Sequence, residues 1–242
     1  YRFGFTGTLD GTQTHRLVLE GLFGNLKKVV KTKELMDSNT LADLTIKCLL
    51  LKHDNLDCKQ VYDMKYQEEI DFLVSNHERN RFIANLTVGT KGNTLCLFQL
   101  VEKHGFKLHD LIKERIYGNR KLFFIYGGVS TDIREDVRKI TENENDAIIV
   151  ASYGTFSTGI NIQNLHNVIF ASPSKSRVRV LQSIGRGLRK GSNKEKVTLY
   201  DLADDLTYRD KKNFTLRHFL ERVTIYNEEE FEYTIKKIGL PK

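Results

Sequence analysis

Short apolar runs alternate with segments of helical periodicity along most of this chain, and that alternation limits the folds it can adopt. Apolar runs of this length, separated by helices, are typical of parallel strands that are buried on both faces. The predicted strands are Asp43 to Lys52, Asn93 to Leu100, Lys121 to Tyr126, Asp146 to Ala151, His166 to Ala171 and Lys196 to Leu202. The pattern therefore predicts an α/β fold built on a parallel sheet.

Helical patterns fill most of the chain between these strands. Right-handed crossovers through such helices give a three-layer domain. The stretch from Lys211 to Ile238 also reads as helical, so we expect a helical C-terminal extension packed on that domain. The other predicted helices are about Asp63 to Ser75, Glu78 to Gly89, Lys107 to Tyr117, Thr131 to Asn143 and Ser174 to Lys190.

Charge and composition narrow the class of protein. The 242 residues carry a formal net charge of +7, which favours an acidic partner such as nucleic acid. Three scattered cysteines indicate neither a disulfide framework nor a zinc site, and we expect no metal ligands in this chain. Because no apolar run approaches the length of a membrane span and no leader is visible, we expect a cytoplasmic protein without a membrane partner. The first residue is not Met, which fits a fragment.

A run of basic and apolar residues near position 185 is the strongest candidate for chemistry. At helical spacing, Gln182, Arg186 and Arg189 share one face, and Val180, Ile184 and Leu188 share the opposite one. Two guanidinium groups held one turn apart suit a polyphosphate, on which each can make paired, charge-assisted hydrogen bonds. A solvated basic face is the alternative interpretation of these residues alone.

Three segments resemble motifs of superfamily-two helicases. The run Gln182 to Arg189 has the pattern Q-x-x-G-R-x-x-R, which resembles the sixth motif. Residues 146 to 163 resemble the fifth motif, in which an apolar strand is followed by Thr or Ser and then by Gly-x-Asp; Ser152, Gly159 and Asn161 stand at these positions. Phe3 to Leu9 look like the third motif, in which Thr6, Gly7 and Thr8 link the nucleotide site to the second motor domain.

The order of these motifs and the sequence around them are similar to the UvsW-type recombination and repair helicases of T-even-like phages, over essentially the whole chain. The resemblance implies a three-layer RecA-like (P-loop NTPase-type) domain at residues 36–210. Residues 1–35 would end a first RecA-like domain and cross over from it, and residues 211–242 would form the helical extension. If phage-encoded, the protein would act in the cytoplasm of the bacterial host.

The resemblance also implies ATP and Mg²⁺ as cofactors, bound mainly by an N-terminal motor domain that this chain lacks. The sequence contains no G-x-x-x-x-G-K-[ST] loop to cradle the phosphates, so we expect the fragment alone not to hydrolyse ATP. Arg189 and Arg186 would act as arginine fingers on the γ-phosphate, with Gln182 beside them. Gly159 and Asn161 would complete the nucleotide contacts, although Asn161 replaces the usual Asp and brings no charge.

Contacts to nucleic acid are implied at the ends of several predicted strands. Ser152 matches the fifth-motif residue that touches a backbone phosphate, and Gly128 precedes a helix whose N-terminus can donate amides. Gln99 follows the strand of the fourth motif, in which Phe98 is expected to be core, and Lys190 follows the arginine segment. We interpret the histidines as structural or surface residues, because no metal-ligand spacing is apparent.

The resemblance implies the C-terminal motor domain of an ATP-dependent DNA helicase. Its family unwinds or remodels branched DNA and R-loops in recombination, repair and replication, so its partners would be branched DNA, RNA in R-loops and the N-terminal RecA-like domain of the same protein. Two alternatives stay open at this point. One is the translocase domain of a restriction-type enzyme, and the other is a non-catalytic nucleic-acid annealing module.

Overall fold

A parallel sheet with seven strands organises the part of the chain that the structure describes. The computed structural model describes residues 2–5, 12–27, 32–38, 40–159, 162, 164–172, 184–185 and 196–240. The strand order is β3-β4-β2-β5-β6-β1-β7, and each adjacent pair is parallel. The strands are β1 Asp43–Lys52, β2 Thr94–Phe98, β3 Leu122–Ile125, β4 Ile148–Ser152, β5 Asn167–Phe170, β6 Lys196–Asp205 and β7 Tyr233–Gly239.

The central strands are apolar along their whole length because helices cover both faces. In β2, Leu95 and Leu97 belong to one core cluster, and Cys96 and Phe98 belong to the cluster on the opposite face. This alternation follows from the two-residue period of a strand. The three-layer α/β prediction is confirmed.

Each face of the sheet is covered by its own helices. The helices are α1 Gln13–Phe23, α2 Thr32–Asp37, α3 Asn55–Val61, α4 Tyr66–Ser75, α5 His77–Gly89, α6 Phe106–Lys113, α7 Thr131–Asn143, α8 Tyr153–Gly159 and α9 Phe214–Glu228. Ile83 of α5 and Leu108 of α6 pack with Cys96 and Phe98 on one face. Val137 of α7 and Phe219 of α9 pack with Leu95 and Leu97 on the other.

Several predicted boundaries hold and others shift. Strand β1 and helix α7 begin and end at the predicted residues, and Ser130 caps α7 by accepting a hydrogen bond from the Ile133 amide. The single helix predicted over Asp63 to Ser75 is wrong at its start, since α4 begins at Tyr66 after the separate α3. The helix predicted from Lys107 begins one residue earlier, directly after a π-helical turn at Val101–Gly105.

The C-terminal stretch is only partly helical. Helix α9 fits the helix predicted between Lys211 and Ile238. The helical prediction for the end of that stretch is wrong, because Tyr233–Gly239 forms β7. This strand pairs in parallel with β1, from Ile46 opposite Tyr233 to Lys52 opposite Gly239. The backbone of β1 offers hydrogen bonds along this edge, and pairing satisfies them, which outweighs the weak local helical pattern.

No helix in the described part of the chain is long and apolar enough to cross a membrane. The cysteines Cys48, Cys58 and Cys96 are all buried and free. Burial raises the pKa of the Cys48 and Cys96 thiols to about 12, so both stay protonated and pack as small apolar groups.

Candidate nucleotide and nucleic-acid interface

The residues that follow neighbouring strands meet at one edge of the sheet. Phe98 at the end of β2 is in register with Ser152 at the end of β4, and Leu97 is in register with Phe170 at the end of β5. Open parallel sheets bind ligands beyond the carboxyl ends of their strands. Gln99, Ser152 and the turn that holds Gly128 all lie at this edge, as the chain order predicted.

Ser152 closes strand β4 and begins the turn into α8. Its side chain is buried, and its hydroxyl lies 2.8 Å from the Thr155 hydroxyl and accepts a 3.4 Å hydrogen bond from the Thr155 amide. The residue therefore acts as a cap on this short helix. Its predicted contact with a nucleic-acid phosphate stays a prediction.

Gly128 lies in the turn between β3 and α7, where a larger residue would require the Tyr126 side chain to move. A Cβ atom at this position would approach the Tyr126 ring to 2.6 Å. The Val129 amide closes the turn by donating to the Tyr126 carbonyl over 3.0 Å, and Arg134 donates to the Gly127 carbonyl over 3.0 Å. The close packing fixes an exposed backbone segment directly before the N-terminus of α7.

Gln99 and Phe98 have different environments although they are neighbours in sequence. Phe98 is fully buried and stacks on Phe124 at a centroid distance of 5.5 Å, so its assignment to the core is confirmed. The Gln99 side chain is exposed at the sheet edge. Its amide donates a 3.1 Å hydrogen bond to the Ser172 hydroxyl, which ties the exit of β2 to the exit of β5.

A chain of buried hydrogen bonds starts at this Ser172 hydroxyl. His104 Nδ1 lies 3.0 Å from the hydroxyl, and His104 Nε2 lies 3.1 Å from Asn80 Oδ1, whose amide nitrogen donates to the Val74 carbonyl. Burial and the nearby charge of Arg79 lower the pKa of His104 to about 3. The ring is therefore neutral, donating through Nε2 and accepting from Ser172 through Nδ1.

A buried ion pair lies beside this chain, at the ends of β5 and β6. Arg79 donates from Nε to both carboxylate oxygens of Asp204, at 2.9 and 3.0 Å, and a further guanidinium nitrogen donates to the Ala171 carbonyl at 2.9 Å. His53 Nε2 lies 3.0 Å from Asp204 Oδ1. Burial acts to raise the pKa of Asp204, but the charge of Arg79 and the hydrogen bond to His53 outweigh it and hold that pKa at about 2.

The sequence does not predict that these buried polar residues form a network. His53 and His104 had been interpreted as structural or surface residues, and both are buried and hydrogen-bonded. Tyr153 is also buried, and its hydroxyl donates to the Ser172 carbonyl over 3.1 Å. Their hydrogen-bond partners lie far away in sequence, so no local sequence pattern predicts these contacts.

Several predicted site residues lie outside the described part of the chain. They are Thr6, Gly7, Thr8, Asn161, Gln182, Arg186, Arg189 and Lys190. Gly159 is the last residue of α8. Within the arginine segment, Ile184 is 3% exposed and belongs to the core cluster that contains Leu95, so the predicted apolar side is confirmed at that position.

The basic stretch between positions 103 and 121 is largely occupied by local contacts. Lys103 pairs with Asp71 at 2.9 Å, and Lys121 pairs with Glu144 at 2.6 Å. Arg120 pairs with Asp146 at 3.1 Å and donates to the Val88 carbonyl.

Among the described residues, no group of three or more His, Cys, Asp or Glu side chains could hold a metal ion.

Comparison with known proteins identifies the family. Residues 77–191 match the model of the helicase conserved C-terminal domain, a range that contains the exits of β2, β3, β4 and β5. The chain is also 34% identical to the ATP-dependent DNA helicase UvsW of Enterobacteria phage T4 over 253 aligned positions, which is 99% of this chain and 50% of that protein. The chain contains a superfamily-two helicase C-terminal domain.

Structural comparison agrees with this family. The crystal structure of T4 UvsW matches this chain with a TM-score of 0.70 and 34% identity, covering 83% of this chain and 42% of that one. A DNA-bound type ISP restriction-modification enzyme, LlaBIII, matches with a TM-score of 0.62 over 91% of this chain and 17% of that one. Its 16% identity shows a common fold alone.

A putative ATP-dependent helicase of Saccharomyces cerevisiae, IRC3, is 23% identical over 180 residues, which cover 69% of this chain and 24% of that protein. The chain therefore spans half the length of the phage relative and about a quarter of the yeast one. The RecA-like fold and the similarity to the phage helicase UvsW are confirmed.

Proposed function

We propose that this chain is the C-terminal motor domain of a DNA helicase that uses ATP to unwind or remodel branched DNA and R-loops. The observation that carries the proposal is the convergence of the β2, β3, β4 and β5 exits on one edge of the sheet, in a chain 34% identical to a phage DNA helicase. Partners would be branched DNA, RNA in R-loops and an N-terminal RecA-like domain of the same protein.

ATP and Mg²⁺ would be held mainly by that N-terminal domain. The sequence has no phosphate-cradling P-loop, so the nucleotide phosphates would be held by the other motor domain. Bound ATP supplies the γ-phosphoryl group that is transferred to water. We expect Thr6, Gly7 and Thr8 to link the two motor domains, and the fragment alone to be inactive.

This chain would provide the positively charged side chains that stabilise the transferred phosphoryl group. Arg189 and Arg186 would neutralise charge on the γ-phosphate oxygens, and Gln182 would hydrogen-bond beside them. Gly159 would let the backbone approach the nucleotide, and Asn161 would accept a hydrogen bond from it. An inserted arginine is typically worth about 10³ to 10⁵ in rate.

Nucleic acid would lie along the same edge of the sheet. Ser152, Gln99 and the backbone around Gly128 would contact phosphates, with Lys190 adding charge. Contacts of this kind hold the backbone and are indifferent to base sequence, as a translocating motor requires. Clamping of the two motor domains on ATP, and their release after hydrolysis, would convert turnover into movement along DNA.

Arg189→Ala in the full-length protein tests this assignment. We expect DNA-stimulated ATP turnover to fall by about 10³-fold or more, because the transition-state charge loses its partner. Affinity for DNA, measured by fluorescence anisotropy, should stay within about twofold.

Arg217→Ala is the matched control, since it removes an exposed arginine from α9 outside the motif. Unchanged DNA-stimulated ATP turnover in Arg189→Ala would contradict the assignment of Gln182 to Arg189 as part of the ATP-hydrolysing motor. A protein that anneals strands equally well without Arg186 and Arg189 would instead be a non-catalytic annealing module.

A further inference from the structure

The hydrogen bonds of Ser172 join the residues that follow three neighbouring strands. Ser172 lies just beyond β5, and its hydroxyl accepts from the Gln99 amide at the exit of β2, over 3.1 Å. Its carbonyl accepts from the hydroxyl of Tyr153, over 3.1 Å, and Tyr153 directly follows β4. One residue thus connects the exits of β2, β4 and β5.

The groups that make these bonds are held firmly. Tyr153 and Ser172 are each 2% exposed, and the Tyr153 ring packs on Phe170 at a centroid distance of 5.7 Å. The Ser172 hydroxyl is oriented by His104, which is fully buried and neutral. Breaking either hydrogen bond inside the protein costs free energy, so the three exits are expected to shift together.

A second tie fixes the residue before Ser172. The Ala171 carbonyl accepts a 2.9 Å hydrogen bond from Arg79 of α5, and the same guanidinium is anchored on Asp204 of β6. The short segment Ala171–Ser172 is therefore bonded directly to the exits of β2 and β4, and through Arg79 to β6 on the other side of β5. The chain then runs directly from Ser172 into the segment that carries Gln182 and the two arginines.

We propose that Tyr153 and Ser172 are positioning residues that couple contact with DNA to the placement of the arginine-bearing segment. The inference rests on the proposed function. On that basis, Gln99 and Ser152 belong to the turns that contact DNA, and each is linked to Ser172, the first through its own amide and the second through its neighbour Tyr153. When these turns bind DNA, their hydrogen bonds hold Ser172 in place. Ser172 in turn positions the start of the arginine-bearing segment, which is proposed to contact ATP.

Tyr153→Phe in the full-length protein removes the hydroxyl and keeps the ring against Phe170. We expect the DNA-stimulated kcat for ATP to fall at least about fivefold, the effect of losing one buried hydrogen bond from the active arrangement. Unstimulated turnover, the KM for ATP and the Kd for DNA should each stay within about twofold. A purely structural role would not produce this split.

Tyr226→Phe is the matched control. Tyr226 is also fully buried, and its hydroxyl donates over 2.8 Å to Asp201 of β6, between the sheet and α9. Its substitution should lower the midpoint of thermal unfolding as much as Tyr153→Phe does, without changing the stimulation of ATP turnover by DNA. This comparison separates loss of a buried hydroxyl from loss of coupling.

Ser172→Ala provides an independent variant of the same connection. It should reduce stimulation by DNA at least as strongly, and the double variant with Tyr153→Phe should lose no more than the worse single variant, because both act through one connection. If Tyr153→Phe behaves like Tyr226→Phe while Arg189→Ala abolishes turnover, the coupling inference is wrong and the proposed function stands. If the wild-type protein shows no DNA-stimulated turnover, both are overturned.

Discussion

At the scale of single residues, the polar side chains buried under the sheet edge are the most informative part of the molecule. Arg79 and Asp204 are fully buried and joined by two hydrogen bonds, and Arg222 and Asp201 form a second pair of this kind. Such pairs contribute little net stability compared with apolar residues of the same size, but removing one partner leaves an unpaired buried charge. They therefore define one arrangement of the strands and helices that meet there.

The Asp204 carboxylate should make stability depend on pH under acid conditions. Its pKa is about 2 in the folded chain against 3.8 for the ordinary group. A depressed folded pKa means that its stabilising contribution is present above about pH 4 and is lost as the pH falls towards 2. Urea unfolding of the chain between pH 5 and pH 2 should show this loss.

Asp204→Asn tests the origin of that loss. It should destabilise the chain at pH 7 by about 3 kcal/mol or more, because Arg79 keeps its charge without a counter-charge. It should also flatten the dependence between pH 4 and pH 2. Asp132→Asn, in the exposed first turn of α7, is the control and should do neither. A variant at position 204 as stable as the wild type would contradict the buried ion pair.

At the scale of elements, the contact between β2 and the π-helical turn Val101–Gly105 shows how closely the edge is packed. A Cβ atom at Gly105 would lie 2.5 Å from the ring of Phe98, which is itself stacked on Phe124. The turn can approach the strand only because Gly105 has no side chain. This approach brings His104 to the Ser172 hydroxyl.

Gly105→Ala should therefore destabilise the chain by about 1 to 3 kcal/mol, the usual cost of overpacking a core. Gly89→Ala is the matched control, since a Cβ atom there meets nothing within 4 Å, and it should be neutral or slightly stabilising. Chemical denaturation of both variants measures the difference. Equal stabilities would show that Phe98 moves aside at no cost.

At the scale of the whole molecule, the parallel sheet gathers residues from distant parts of the sequence onto one edge. The chain spans half of its phage relative, so the proposed unwinding is tested in the full-length protein. We expect that protein to unwind a four-way junction and an R-loop at least about tenfold faster than a linear duplex of equal length, and only with ATP. Gel-based unwinding assays measure the three rates, with Arg189→Ala as the inactive control. Equal rates on all three would contradict the preference for branched structures.

Much of the fold was predictable because it depends on local patterns. The apolar runs of β2, β4 and β5 are strands because their residues pack on both faces, and α7 is amphipathic and capped by Ser130. Strand β7 was not predictable in this way. Its side chains are mostly exposed, so it lacks an apolar run, and it forms because the edge of β1 is available for pairing.

The candidate site was likewise predictable from the sequence in some features and not in others. The sequence by itself determined the motifs, the family they resemble, and the placement of Gln99, Gly128 and Ser152 at strand ends, because such features follow from residue type and chain order. Only the tertiary structure decided that Ser172 joins Gln99, Tyr153 and His104, and that Arg79 meets Asp204. These partners are distant in sequence, and packing of the helices on the sheet brings them within hydrogen-bonding distance.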